Sequence, residues 1–132
     1  MIGIDTNVVL RYLLKDDKLQ TAKAERILEH TLKEDGPGFV SLVTVLETFW
    51  VLESFYKFSG QEIISAIEQL IRAETLFIQN EREVYYALQV VKKGEGTFND
   101  VLVSALSFWS GCTHTLTFDR KASRLPGFKL IA

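Results

Sequence analysis

Short apolar runs alternate with longer amphipathic stretches along all 132 residues, and this alternation is what most constrains the fold. A short apolar run bounded by turn residues suits a strand covered on both faces. A following stretch of helical periodicity suits the crossover that brings the chain back to start a parallel neighbour. The strands predicted in this way are 2–5, 38–41, 75–79, 113–118 and 128–131. Helices are predicted at 7–14, 19–33, 42–55, 61–72, 81–93 and 99–109, with a short one at 120–125 before the last strand. Gly36-Pro37-Gly38, Ser59-Gly60, Gly94 to Gly96 and Pro126-Gly127 mark the joints, and none is long enough to be an interdomain linker. The expectation is an α/β chain, one domain over residues 1–132, built as three layers (α/β/α) around a central parallel sheet of about five strands.

That layout directs attention to particular acids, because ligands on open α/β sheets bind beyond the carboxyl ends of the strands. Asp5 ends the run Ile2-Gly3-Ile4, and Asp119 follows the run that ends at Phe118. Asp100 opens the helix that begins at Val101, and Glu47 lies within the apolar helix from Leu42 to Leu52. Asp5 and Asp100 read equally well as helix caps or first-turn acids, and for Asp119 the cap is the first reading. Glu47 reads differently. Its helical neighbours Val43, Thr44, Trp50 and Val51 offer no positive charge, so burial among them would call for protonation or a distant partner. Brought together, the four would form a cluster that only a divalent cation could hold.

Charge and composition narrow the alternatives. Fifteen Lys and Arg against seventeen Asp and Glu give a net charge of −2, so no basic surplus advertises a polyanion. Setting the four candidate acids aside leaves a balance of +2, which permits a nucleic acid and does no more. Cys112 is the single cysteine, which excludes an internal disulfide, and with only His30 and His114 beside it there is no structural zinc set. Cys112 is expected to be a small buried residue. No leader pattern and no apolar run of membrane length is present, so the chain reads as cytoplasmic.

Four blocks then carry a resemblance: Ile2-Gly3-Ile4-Asp5-Thr6-Asn7-Val8-Val9-Leu10-Arg11-Tyr12-Leu13-Leu14, Ser41-Leu42-Val43-Thr44-Val45-Leu46-Glu47, Phe98-Asn99-Asp100-Val101-Leu102-Val103-Ser104-Ala105, and Leu116-Thr117-Phe118-Asp119-Arg120. Together they resemble the signature of the PIN-domain family, and more narrowly of the VapC toxins of prokaryotic toxin-antitoxin pairs, over nearly the whole chain. The resemblance implies a magnesium- or manganese-dependent endoribonuclease, held inactive by a cognate antitoxin and usually a homodimer. It carries the acidic site over to Asp5, Glu47, Asp100 and Asp119, with Thr6, Asn7 and Thr117 as supporting polar residues. Asp5 and Asp100 are expected as direct metal ligands, with Glu47 and Asp119 acting through water or a second ion. A cation held there would lower the pKa of a bound water, orient it for in-line attack on phosphorus and offset charge on the phosphate. Val101, where relatives often carry a small residue, is the one departure noted.

Other features are less specific. Arg11, Lys15 and Arg120 lie near the proposed mouth, with Arg11 and Arg120 as candidate phosphate contacts, whereas Lys92-Lys93 and Lys121 with Arg124 read as plain surface. Phe49, Trp50, Phe55, Tyr56 and Phe58 crowd five aromatics into ten residues. Of these, Trp50, Phe55, Tyr56 and Phe58 are candidates for an exposed groove that takes an antitoxin helix or a second copy, with a hairpin packed on its own domain as the alternative. A haloacid-dehalogenase-type phosphatase wants a second Asp where Asn7 stands, and a receiver domain wants an Asp at the end of a middle strand, which 38–41 and 75–79 do not supply. The remaining competitor is a non-catalytic RNA-binding or scaffold module that keeps the fold and an idle metal site.

Overall fold

The computed structural model describes all residues from Met1 to Ala132, and contacts divide them into two compact units, Met1–Glu81 and Arg82–Ala132. In the first unit β1 (Ile2–Gly3), β2 (Gly38–Val40) and β3 (Leu76–Ile78) form a parallel sheet in the order β1-β2-β3. Ile2 pairs with Gly38, and Gly38, Phe39 and Val40 pair with Leu76, Phe77 and Ile78. Between the strands run α1 (Thr6–Leu14), α2 (Lys18–Arg26), a π-helical turn (Ile27–Thr31), α3 (Leu32–Asp35), α4 (Leu42–Ser54) and α5 (Gly60–Arg72). The second unit holds α6 (Glu81–Lys92), α7 (Phe98–Trp109), a 3-10 turn (Ala122–Arg124) and the parallel pair β4 (Thr115–Thr117) and β5 (Phe128–Leu130). The α/β class with parallel strands is therefore the one expected. The five strands are hydrogen-bonded as a group of three and a group of two.

Side-chain caps explain where the helices begin. Ser59 and Glu62 form a capping box: Ser59 Oγ accepts from the Glu62 N–H at 3.2 Å, and Glu62 Oε1 accepts from the Ser59 N–H at 2.9 Å. The Ser59 backbone N–H, and after it the Ser59 hydroxyl, favour the anion and hold the Glu62 carboxyl below its ordinary pKa. Ser41 caps α4 through the Thr44 N–H, and Asp17 caps α2 through the N–H groups of Leu19 and Gln20. The helix predicted over 19–33 is interrupted by the π turn, in which Leu28 O accepts from Thr75 Oγ1 at 2.8 Å.

Packing in the first unit centres on Val9, Leu10, Val40, Val45, Leu52 and Ile67, all of them buried. There α1 packs on α4, α4 on α5 and α5 on β3. β2 runs so close to its surroundings that a Cβ on Gly38 would meet Leu32 Cδ1 at 2.8 Å, Ile4 Cγ1 at 2.9 Å and Leu76 Cδ2 at 3.0 Å. In the second unit Val84, Ala87, Leu88, Val101, Leu102 and Ala105 make the core of the α6 and α7 pair. Cys112 is exposed rather than buried, because it follows Gly111, a left-handed glycine (φ 100°) in the turn after α7.

Candidate functional site

Asp5 stands at the N-cap of α1 with extended backbone angles, yet its side chain makes no capping bond. The α1 start is instead closed by backbone bonds from the Val8 and Val9 N–H groups to Asp5 O. The carboxylate is exposed and uncommitted, so the cap reading that competed for this residue is not what its side chain does. Thr6 is buried in the next position. Asn7 is exposed and lines a cavity of about 220 Å³ with Arg11, Gln20 and Lys23.

Glu47 corrects the sequence reading. The expectation was an acid enclosed by apolar neighbours, but α4 presents Val43, Glu47 and Trp50 to solvent along one stripe, with Glu47 exposed between them. An exposed carboxylate needs no neutralising partner, so burial cost no longer argues for a role at this position. Chemical identity alone does so now.

The second unit brings two of the acids to one place. Asp100 and Asp119 line a single cavity of about 620 Å³, together with Glu95, Thr97, Lys121 and Arg124. Asp100 is the third residue of α7, whose cap is supplied by Thr97 Oγ1 accepting the Asp100 N–H at 3.2 Å. Because Thr97 does the capping, both Asp100 carboxylate oxygens remain uncommitted. Asp119 divides its oxygens: Oδ1 accepts the N–H groups of Lys121 at 2.8 Å and Ala122 at 3.2 Å, and Oδ2 is left over. The cap expected there is present, and Thr117 Oγ1 adds to it by accepting the Asp119 N–H at 3.0 Å. Across the whole chain no three carboxylate, imidazole or thiol groups lie together as a metal-holding set. The pair in this cavity nevertheless suits a hard cation, since magnesium commonly takes one or two protein carboxylates and keeps water in its other positions.

The basic candidates fall differently from expectation. The Arg11 guanidinium is engaged by Asp16 Oδ1 at 2.8 Å and Tyr56 Oη at 3.2 Å, contacts that raise its pKa above the ordinary value. Arg120 does not line the acidic cavity, whereas Lys121 and Arg124, read from sequence as plain surface, do. The available signal was their spacing of three residues directly after Asp119. In a 3-10 turn, residues three apart eclipse one another and share a face.

The aromatic crowd is only partly an exposed patch. Phe55 is 74% exposed and Trp50 63%; Trp50 continues the Val43 and Glu47 stripe, and Phe55 stands at the C-cap of α4. Tyr56 and Phe58 are half-buried, and Tyr56 packs edge-on against Phe55 while holding Arg11. A second aromatic group, not singled out in the sequence, gathers Tyr86 and Phe108 against Trp109 with ring centroids 5.6 Å apart in each pair. Arg82 lies over the Trp109 face at 4.5 Å.

Comparison with known proteins bears on this geometry. The family model of the PIN domain matches residues 2–127, a span that includes all four acids. The chain is also 26% identical to a VapC ribonuclease of Aquifex aeolicus (strain VF5) over 129 residues, covering 97% of this chain and 93% of that one. No helix here is long and apolar enough to cross a membrane.

Proposed function

Because the chain belongs to the PIN-domain family, we propose that it is a metal-dependent endoribonuclease and the toxin of a toxin-antitoxin pair, using Asp5, Glu47, Asp100 and Asp119 as its acidic residues. The observation that carries this reading is the pair Asp100 and Asp119 on one cavity, with three of their four carboxylate oxygens free of hydrogen bonds within the protein. The name of the Aquifex relative supports RNA as substrate and a VapB-type antitoxin as partner.

When bound, magnesium or manganese supplies an activated water and offsets charge on the scissile phosphate. The residues of the chain do the rest. Asp100 and Asp5 offer unshared carboxylate oxygens, and Thr97 frees Asp100 for that purpose by taking over the helix cap. Asp119 offers its second oxygen while the first fixes the following turn. Glu47 acts through water from its exposed position on α4, and Thr6, Asn7 and Thr117 support the acids with neutral hydrogen-bonding groups. The reaction belongs in the cytoplasm, where its RNA is. The antitoxin, or the second copy of a homodimer, covers the exposed rings Trp50 and Phe55.

Cleavage of a total RNA pool by the purified, antitoxin-free protein tests this reading, with magnesium or manganese and with chelator, beside Asp5→Ala and Asp100→Asn. Cutting that needs metal and disappears in both folded variants is the expected result. A wild-type protein that cuts no RNA under any metal would overturn it in favour of a binding module.

A further inference from the structure

The acidic cavity of the second unit contains two cations as well as its acids. Lys121 and Arg124 line it with Glu95, Asp100 and Asp119, so two basic and three acidic residues share one cavity of about 620 Å³. Elsewhere in the chain neighbouring opposite charges form ion pairs, as Arg11 does with Asp16 and Arg82 with Glu83. Lys121 and Arg124 pair with none. The backbone around them is fixed by its own bonds: Asp119 Oδ1 accepts the Lys121 and Ala122 N–H groups, while Asp119 Oδ2 and the Asp100 carboxylate stay free. The Asp119 carbonyl takes the Ser123 N–H at 3.0 Å, and Arg120 O takes the Ser123 hydroxyl at 2.7 Å. The turn is closed beneath its cations, and Ala122, 3% exposed, anchors it. Eclipsed three residues apart, Lys121 and Arg124 point one doubled charge along a single face. Leu125 fixes the same turn against Gly96, where a Cβ would meet Leu125 Cδ1 at 2.7 Å.

A cavity with three acids and no cations would repel phosphate, and one with unpaired cations beside the acids accepts it on one side while keeping the carboxylates free on the other. We propose that Lys121 and Arg124 hold the phosphodiester backbone of single-stranded RNA in the Asp100 and Asp119 cavity, as substrate-positioning residues of the nuclease. The assignment rests on the nuclease reading above. The two heads divide the work by chemistry: the Arg124 guanidinium grips two phosphate oxygens in its fork, and Lys121 adds a point charge.

The test separates this assignment from the reaction itself. RNA affinity is measured on Asp100→Asn protein, which binds without cutting, as a function of salt, alone and with Lys121→Ala, Arg124→Ala or both. Lys129→Ala, which removes an exposed charge on β5 outside the cavity, serves as control. Each cavity substitution is expected to lower the slope of log affinity against log salt by about 0.7, and the pair by about 1.4, with an affinity loss of roughly tenfold that Lys129→Ala does not reproduce. In cleaving protein the same loss appears in KM and not in kcat, and Arg124→Lys restores part of it. Lys121→Gln and Arg124→Gln repeat the measurement should alanine disturb the turn. Cavity variants that bind with unchanged affinity and slope overturn the assignment while leaving the nuclease standing. RNA that fails to bind the Asp100→Asn protein at all overturns it too, and failure of the nuclease reading shows separately as wild type that binds but never cuts.

Discussion

Replacing Asp119 by alanine removes a carboxylate and a turn support together, and asparagine separates the two. In the native chain Oδ1 accepts from the Lys121 N–H at 2.8 Å and the Ala122 N–H at 3.2 Å, the role of an N-terminal cap. Losing such a cap costs about 0.5 to 2 kcal/mol, and because Asp119 is exposed and water can replace it in part, about 1 kcal/mol is the working figure. For a chain of 132 residues that corresponds to a fall in Tm of about 3 to 5 °C. The Asp119→Asn variant keeps a neutral acceptor in the same place and should recover most of that loss. Both variants lose the carboxylate, so both should lose RNA cleavage. Thermal denaturation followed by circular dichroism, with cleavage assayed on the same preparations, gives the two readouts. If alanine and asparagine melt together, Oδ1 does not support the turn. If asparagine cuts RNA as well as wild type, the carboxylate is not needed for the reaction.

Four further outcomes are expected. Gly96 has φ of 72° and its absent Cβ would strike Leu125, so Gly96→Ala should lower Tm by a clear margin, about 1 to 3 kcal/mol in a chemical melt, by strain and overpacking together. Glu62 is ionised more easily in the folded chain than in the unfolded one, so its contribution is complete above about pH 4.3 and is lost as pH falls through the lowered folded value; Ser59→Ala keeps the backbone N–H that is the larger cause and should reduce that acid-side loss only in part, while costing about 1 kcal/mol of cap stability, measured by melts across pH 3 to 6. Tyr56→Phe should cost about 0.5 to 1.5 kcal/mol by removing one of the two bonds of Arg11, whereas Trp50→Ser with Phe55→Ser should cost no more than the Phe55–Tyr56 edge contact and abolish antitoxin capture. Thr48 Oγ1 is buried with no hydrogen-bond partner, so Thr48→Val should raise Tm and leave RNA cleavage as it was.

The five strands, their parallel direction and most of the helices were legible because apolar runs and helical periodicity are local properties, whereas the break of the 19–33 helix into α2, a π turn and α3 was not. Their ends were less so: β1 stops at Gly3, since Asp5 already belongs to the start of α1. Glu47 was misjudged because an apolar helix does not announce which face is covered, and Val43 and Trp50 prove to be on the open one. Asp119 was read correctly as a cap because the signal, an acid before a turn, lies within three residues of it. Lys121 and Arg124 were passed over for the opposite reason. Their common face depends on the turn being 3-10 rather than α, and their surroundings on Gly94 to Thr97, far away in the chain. Tyr56 looked like an exposed ring until its hydroxyl found Arg11, forty-five residues earlier.

The π turn at Ile27–Thr31 makes one residue of this chain structurally surplus. An α-helix advances about 100° per residue, so deleting a residue from that turn would restore regular winding and swing everything after it by that angle. Leu32, now close enough to Gly38 to forbid a Cβ there, would turn away from β2, and the carbonyl of Leu28 would leave the position in which Thr75 Oγ1 donates to it. Thr75 would then lose the acceptor it now has at 2.8 Å. The extra residue and the threonine therefore form a matched set: a relative that lacks the first has no reason to keep the second, and gains room for a side chain at the place of Gly38.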